Sequence, residues 1–517
     1  MVVSRFRLLL AVVALPLLAV AILLSAAQAV VAEGPEEGFV PIFNGTSLEG
    51  WEGRPEFWRV EDGSIVGETT AETPTKANTF LIWRQGELDD FDLRLEFRLR
   101  NHNSGVQYRS RDLGDFSVGG YQADIAESSA PYCGIIYEER GRGILAKRGE
   151  KITLTAEGGR QPAAAIGTAD DLGKAIRPGE WNDYRILARG NRLQQFINGQ
   201  LMSEIVDEQA SKRAMQGVLA LQLHAGPPMK VAFRKIRLRR LRLADGRKKL
   251  VLVAGRPSHR SGEHEFRAGS LLMAKCLREN VPQIVPAVYD NGWPADPTAF
   301  DNADAILFFA DGGGRHPVVQ RNRLAEIAAL AARGVGIAAL HYAVEVPKEK
   351  GGEAFLAMLG GYFETHWSVN PHWTLADTRL AEGHPIARGV QPFEITDEWY
   401  YHMRFREPAD GLTEILTAVP PDSTRERPDG PHSNNPTVRA GKGNRETLAW
   451  AYERPDGGRG FGCTGGHFHA NFGNDDFRRM MLNALLWVTG LEVPAGGVES
   501  SLTPQELQAN LDDKKKR

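Results

Sequence analysis

Two sets of residues in this chain have the types and spacing that chemistry requires. The first lies in 103–127, NSGVQYRSRDLGDFSVGGYQADIAE. Its pattern predicts short strands over 105–109 and 121–125 around a loop rich in Gly and Asp. Side chains alternate along a strand, which puts Gln107 and Arg109 on one face of the first and Gln122 and Asp124 on one face of the second. The stretch 217–224, GVLALQLH, alternates as well and sets Gln222 and His224 on its polar side. A row of Arg, Gln and Asp suits a wetted sugar-binding cleft. The same row is also the ordinary solvated outer face of an antiparallel sheet.

The second set is a concentration of histidine. Of the 13 histidines, His259 and His264 follow one predicted strand and His341 another. His366 and His372 lie in ETHWSVNPHW, His402 follows DEWYY, and His467 and His469 lie in GGHFH. Open α/β sheets bind ligands outside the carboxyl ends of their strands. His259, His341 and His467 all follow predicted strands and should share that rim, so His341 and His467 are read as functional. Glu345 and Glu398 are carboxylate companions and, with His372, candidate substrate contacts. Trp367, Trp373, Trp399, Tyr400 and Tyr401 can offer stacking faces to sugar rings. Such clusters can bind zinc or a similar metal. No tight ligand spacing appears beyond His467-x-His469, so a divalent metal ion stands as a possible cofactor with its ligands open. The alternative is a polar rim that holds loops by hydrogen bonds.

The elements that must position these residues come in two styles. Over 37–242 the chain shows short alternating segments separated by turn signals such as Asp62-Gly63 and Asn198-Gly199. FDLRLEFRLR, 91–100, is the cleanest, with Leu93, Leu95, Phe97 and Leu99 on one face. The strand over 230–238 changes parity near Arg234-Lys235, the sign of a bulge. This half predicts an all-β sandwich. Over 247–491 the period changes. KLVLVA, AILFF and GVGIAAL are continuous apolar runs, and helical patterns over 266–277, 321–332 and 475–487 accompany them. Strands alternating with helices predict a doubly wound α/β domain on a parallel sheet. A tail, 492–517, contains the capping-box pattern Thr503-Pro504-Gln505-Glu506.

Composition sets outer limits. With 517 residues the chain is too long for a single core. A net charge of −3 gives no reason to expect nucleic acid as a partner. Three cysteines do not make a disulfide framework, and their spacing is not that of a zinc site. Residues 1–32 read as a signal peptide: Arg5 and Arg7, an apolar run over 8–24, then small residues with Ala27 and Ala29 as the cleavage pair. The body is therefore expected to be exported, to a periplasmic, extracellular or cell-envelope location. Membrane attachment is expected only if that segment stays uncleaved as an anchor.

The stretches FNGTSLEGW, NSGVQYRS, GGYQADI, PGEWNDYRILARGNRLQQFINGQ and GVLALQLHAGPPMKVAFRKIRL follow one another over 43–238. In order and spacing this half resembles the 3-keto-disaccharide hydrolase domain family, a concanavalin-like jelly roll. The resemblance implies action on glycosides oxidised to a ketone at sugar C3. Such a ketone acidifies the C2 proton, because the carbanion delocalises as an enolate. A base removes that proton, the glycosidic oxygen leaves from C1, and water can add back to give net hydrolysis. The site needs a base near neutral pKa and donors for the enolate oxygen. Asp124 or His224 is the candidate base, Arg109 the enolate partner, with a divalent cation as its substitute or aid. Gln107, Gln122 and Gln222 are candidates to hold hydroxyls.

ILFFADGGG, GVGIAALHYA, DEWYY and GGHFHANFGNDDFRRMMLNALLWVTG are similar to ThuA-like domains, the trehalose-utilisation branch of the class I glutamine amidotransferase-like fold. Amidotransferases carry a nucleophilic Cys at the turn after a strand like GVGIAAL. Here the turn carries His341, and imidazole cannot form the thioester that glutaminase chemistry requires. Together the two resemblances imply an exported protein acting on an oligosaccharide or keto-sugar. The rival expectation is a non-catalytic carbohydrate-binding protein with an inactive amidotransferase-like scaffold.

Overall fold

The structure is a computed structural model that describes residues 37–127 and 131–514. The expected signal peptide lies outside the described residues. Among those described, no helix is long and apolar enough to cross a membrane.

The first half is a sandwich of two antiparallel-rich sheets. One has Phe91–Arg100 at its centre, between Asn182–Arg189 and Met229–Arg240. The other runs through Ile136–Glu139, Val118–Ala126, Asn103–Asp112, Val218–Leu223 and Thr79–Trp83. Leu93, Leu95, Phe97 and Leu99 of the first sheet meet Val106, Tyr108, Tyr121, Ala123, Leu221 and Leu223 of the second in one buried cluster. Strand alternation then forces the opposite parity of the second sheet, Gln107, Gln122, Asp124 and Gln222, away from the core between the sheets. The expected bulge is present: pairing of Met229–Arg240 with Phe91–Arg100 shifts between Arg234 and Arg237, and Lys235 has φ +50°.

Arg109 is a correction to the expected polar row. Pairing of Asn103–Asp112 with Val118–Ala126 shifts between Tyr108 and Arg111, and Arg109 itself has φ +47°. The bulge breaks the alternation, as an extra residue in a strand must. The guanidinium is 1% exposed. Its Nε donates to Asp89 O, Nη1 to Gly190 O and Nη2 to Asp90 Oδ1, each at 2.6 Å. Gly190 belongs to the hairpin between Asn182–Arg189 and Arg192–Ile197 in the other sheet. Arg109 ties the two sheets together and cannot serve an enolate.

The second half has five parallel strands in the order Ile284–Tyr289, Lys248–Ala254, Ala305–Phe309, Gly336–Leu340, Arg459–Cys463. Three antiparallel strands extend that edge, beginning with Glu446–Glu453 and Leu412–Ala418. Alternate residues of the parallel strands serve opposite faces. Leu250, Leu252, Leu307 and Leu340 pack under helices Phe266–Asn280 and Asp475–Val488. Val251, Val253, Ile306 and Ile337 pack under Arg323–Ala332 and Glu353–Leu359. Coverage on both faces explains why these strands read as unbroken apolar runs.

The two halves are joined by buried charge. Lys249 Nζ lies 2.7 Å from Asp89 Oδ2, and Arg240 lies 2.6 Å from Asp296 and 3.2 Å from Asp89. Cys133, Cys276 and Cys463 are free and buried. The tail helix Pro504–Leu507 has the capping box read from its sequence.

Candidate functional site

The polar row of the sandwich survives without Arg109. Gln107 Nε2 donates to Gln122 Oε1 at 2.6 Å, and Ser110 Oγ donates to Gln107 Oε1 at 2.6 Å. Gln122 Nε2 donates to Asp124 Oδ1 and also reaches Gln222 Oε1 at 3.4 Å. A Cβ on Gly105 would stand 2.6 Å from the Gln122 side chain, so glycine there makes room for the amide. The Nε2 of Gln222 is buried with no partner among the described residues. An orphaned buried donor is costly unless a ligand or water meets it.

Asp124 is 6% exposed. Burial pushes its carboxyl up to about 7, opposed by hydrogen bonds from Gln122 and Asn103 and helped by the nearby Glu139 carboxylate. Burial also raises Glu139. Asn103, Glu139 and Asn78, whose amide reaches Glu139 Oε1 at 3.4 Å, were not singled out from sequence. Asn103 opens the NSGVQYRS stretch, whereas Glu139 reaches Asp124 only through pairing of Ile136–Glu139 with Val118–Ala126.

His224 departs from expectation in its contacts. Its Nδ1 donates to Ala225 O at 2.6 Å, and its ring lies 4.7 Å from that of His102. Burial lowers its pKa, so the neutral ring is favoured. It makes no hydrogen bond to Asp124, which leaves Asp124 as the base candidate held by the row itself.

In the α/β half the chain brings His264, His341, His467 and Glu398 to one point. His264 Nε2 lies 3.1 Å from His341 Nε2 and 3.0 Å from His467 Nδ1. His467 Nδ1 lies 3.3 Å from His341 Nε2. Glu398 Oε2 lies 3.5 Å from His341 Nε2 and 3.3 Å from His467 Nδ1. Tyr400 Oη is 3.2 Å from both His341 Nε2 and Glu398 Oε2.

Local structure explains the convergence. His341 follows Gly336–Leu340 directly and has φ +55°, a strained backbone at the end of a central parallel strand. His264 N donates to His467 O at 2.9 Å, which fixes the two loops to each other. Asp397 accepts from Gly466 N and His467 N at 2.7 and 3.0 Å and so anchors the Gly-Gly-His turn from beneath. Burial holds the His341 imidazole well below its ordinary range, with the neighbouring His264 ring adding to the effect. Burial also lowers His264, next to His259 and His467. Neutral rings present lone pairs.

Other predicted residues are placed differently. Glu345 is buried and paired with His432, whose Nε2 lies 2.9 and 3.0 Å from its two oxygens, and it accepts from Thr365 Oγ1 at 2.9 Å. It makes no direct contact with the histidine cluster. His372 is half-exposed and 3.7 Å from Glu398 Oε1, at a hollow of about 430 Å³ lined also by Asn370, Thr424 and Arg427. His402 stacks on Trp367, and His469 bonds Leu507 O. His259 stacks on the His264 ring at 3.6 Å, a step outside the cluster. His264 and Tyr400 are the members that strand-end reasoning undervalued. His264 sits ten residues past the strand, and only its backbone bond to His467 brings it back.

Residues 38–239 match the family model of the 3-keto-alpha-glucoside-1,2-lyase-like domain, and residues 252–488 that of trehalose utilisation. No curated protein matches. Among solved structures, a protein from Parabacteroides distasonis described as a glycosyl hydrolase is 21% identical, with 39% of this chain and 99% of that chain covered and a TM-score of 0.29. A ThuA-like protein from Bacteroides uniformis is 13% identical over 47% of this chain and 91% of its own, with a TM-score of 0.35. The carbohydrate-binding module CBM66 from Bacillus subtilis is 13% identical over 37% and 95%, with a TM-score of 0.25. The chain thus joins a domain of the 3-keto-alpha-glucoside-1,2-lyase-like family to a domain of the trehalose utilisation family.

Proposed function

We propose that this is an exported carbohydrate-processing protein whose sandwich cleaves 3-keto-glycosides, with the α/β domain handling a related keto-sugar. The observation that carries the reading is Asp124, a carboxyl held near neutral pKa inside a row of glutamine amides. A base of that pKa is substantially ionised at pH 7 yet still takes up a proton readily. The orphaned Gln222 donor, linked to Asp124 through Gln122, is the contact this reading assigns to a sugar oxygen.

In this mechanism the Asp124 carboxylate removes the C2 proton. The C–H electron pair becomes the C2=C3 bond of an enolate and the ketone oxygen takes the charge. The enolate then re-forms the ketone, a C1=C2 bond forms, and the C1–O bond breaks. The leaving alkoxide takes a proton from solvent or a neighbouring acid. Water adding at C1, with return of a proton to C2, turns elimination into hydrolysis. Arg109 has no part in it, and stabilisation of the enolate oxygen falls to amide donors such as Gln222 Nε2.

Export rests on the N-terminal order of two arginines, an apolar run and small residues. The test is release of aglycone from a 3-keto-glucoside by the purified chain, compared with the unoxidised glucoside. Turnover of the keto compound alone supports the reading. Affinity for it without turnover in the wild-type chain gives the sandwich a binding role instead.

A further inference from the structure

We propose that His264, His341, His467 and Glu398 form a mononuclear centre for a divalent transition metal of the zinc class. This goes beyond the sandwich chemistry and stands on residues that chemistry does not use.

The donor atoms are oriented for it. His341 Nδ1 donates to Thr464 O at 2.8 Å, which makes Nε2 the lone-pair nitrogen of the neutral ring, facing the cluster with Tyr400 Oη 3.2 Å away. His264 Nδ1 faces Asp311 Oδ1 and Ser258 Oγ, both at 3.4 Å, and in the tautomer that donates to Asp311 its Nε2 carries a lone pair as well. Those two nitrogens are 3.1 Å apart and a carboxylate oxygen is 3.5 Å from one of them. With both lone pairs turned inward, a shared cation satisfies them together. Four adjacent ligands around an ion at 2.0–2.2 Å stand roughly 3.0–3.5 Å from one another, and the three His–His distances and the two from Glu398 to His341 and His467 fall in that range. The outer contact of His341 follows the habit of metal-bound histidine, whose second ring nitrogen donates to a carbonyl or carboxylate, and Asp311 stands on that side of His264. His467 Nε2, by contrast, has Glu263 Oε2 at 3.8 Å and no hydrogen bond among the described residues.

The donor set selects the metal. Three imidazoles and one carboxylate suit zinc, cobalt or nickel better than magnesium or calcium, which prefer oxygen. The centre is not closed off. Glu398 turns Oε2 to the cluster and Oε1 to Asn370 Nδ2 at 3.0 Å, and it lines the hollow of about 430 Å³ with His372 and Arg427. A small ligand entering that hollow can bring an oxygen toward the ion. A second grouping, His259, His264 and Asp311, shares His264. It offers three ligands rather than four, one of them on the exposed His259, so the four-residue set is the one proposed.

The test uses the full chain, stripped by chelator and titrated with Zn²⁺ and with Mg²⁺ by calorimetry. One Zn²⁺ per chain should bind, with Mg²⁺ at least ~100-fold weaker and the melting temperature raised by zinc. Glu398→Gln and His264→Ala should each weaken Zn²⁺ binding about 100-fold or more, and Asp311→Asn about 10- to 100-fold. His259→Ala should change it less than about 3-fold. Melting curves without metal check that each variant is folded, and the near-isosteric Glu398→Gln carries the test if His264→Ala is not. A folded wild-type chain that binds no zinc overturns the proposal. So does stoichiometric binding of wild-type affinity in folded Glu398→Gln, or loss in His259→Ala with retention in Glu398→Gln. None of these outcomes bears on aglycone release by Asp124, so the two readings fail separately.

Discussion

His341 and His264 stand 77 residues apart in the chain and meet with their Nε2 atoms 3.1 Å apart. His341 occupies the strained turn after a central parallel strand. The turn has a left-handed backbone and carries an imidazole that burial keeps neutral. The position therefore presents a lone pair to a shared point.

Asp124→Asn should lower aglycone release from a 3-keto-glucoside by about 10²- to 10⁴-fold, the range for loss of a general base. The wild-type rate should rise with pH through a midpoint near 7, where the buried carboxyl ionises. Initial rates across pH 5–9 check both. An unchanged rate in folded Asp124→Asn would remove this residue from the mechanism.

The same residue predicts a stability change of definite sign. The folded pKa lies above the ordinary value of 3.8, at about 7. Its neutral form is favoured by folding, so this contribution is fully present below about pH 4 and is lost as pH rises through 7. Asp124→Asn should melt above the wild type at pH 8 and close to it at pH 4, as read by calorimetric scans.

Arg109→Met should act on stability rather than chemistry. It leaves Asp90 buried without its cation and frees two carbonyls, at a cost of about 3–5 kcal/mol. Denaturant melts should show the loss. Turnover per folded molecule should stay within about threefold of wild type if Arg109 takes no part in the reaction.

Asp89 at the junction of the halves predicts an acid limb. Burial pushes its carboxyl up, but Lys249 and Arg240 overcome this and hold it down to about 2. Burial pulls the Lys249 ammonium the other way, toward neutrality. Two cations face Asp89 and keep it ionised. Its stabilising contribution is present above about pH 4 and lost as pH falls through 2, about 2.5 kcal/mol in all. Asp89→Asn should destabilise the chain at pH 7 by about 3–5 kcal/mol and flatten this limb, measurable by denaturant melts from pH 2 to 7.

Much of the fold was legible in local pattern. Alternation alone placed Leu93, Leu95, Phe97 and Leu99 in the sandwich core, because strand parity is a local property of the backbone. The unbroken runs KLVLVA and AILFF announced a sheet covered on both faces, and the parity slip at Arg234-Lys235 announced the bulge. The glutamines and Asp124 followed from the same parity. Arg109 did not, because a bulge one residue away reversed its side, and nothing in NSGVQYRS marks that bulge. His264 and Glu398 joined His341 and His467 only in three dimensions. Their convergence depends on the order of parallel strands, the backbone bond between His264 and His467, and the grip of Asp397 on the Gly-Gly-His turn. Local sequence determined which side chains were available and which way most of them faced; contacts across 70 to 200 residues, set by packing, decided which of them meet.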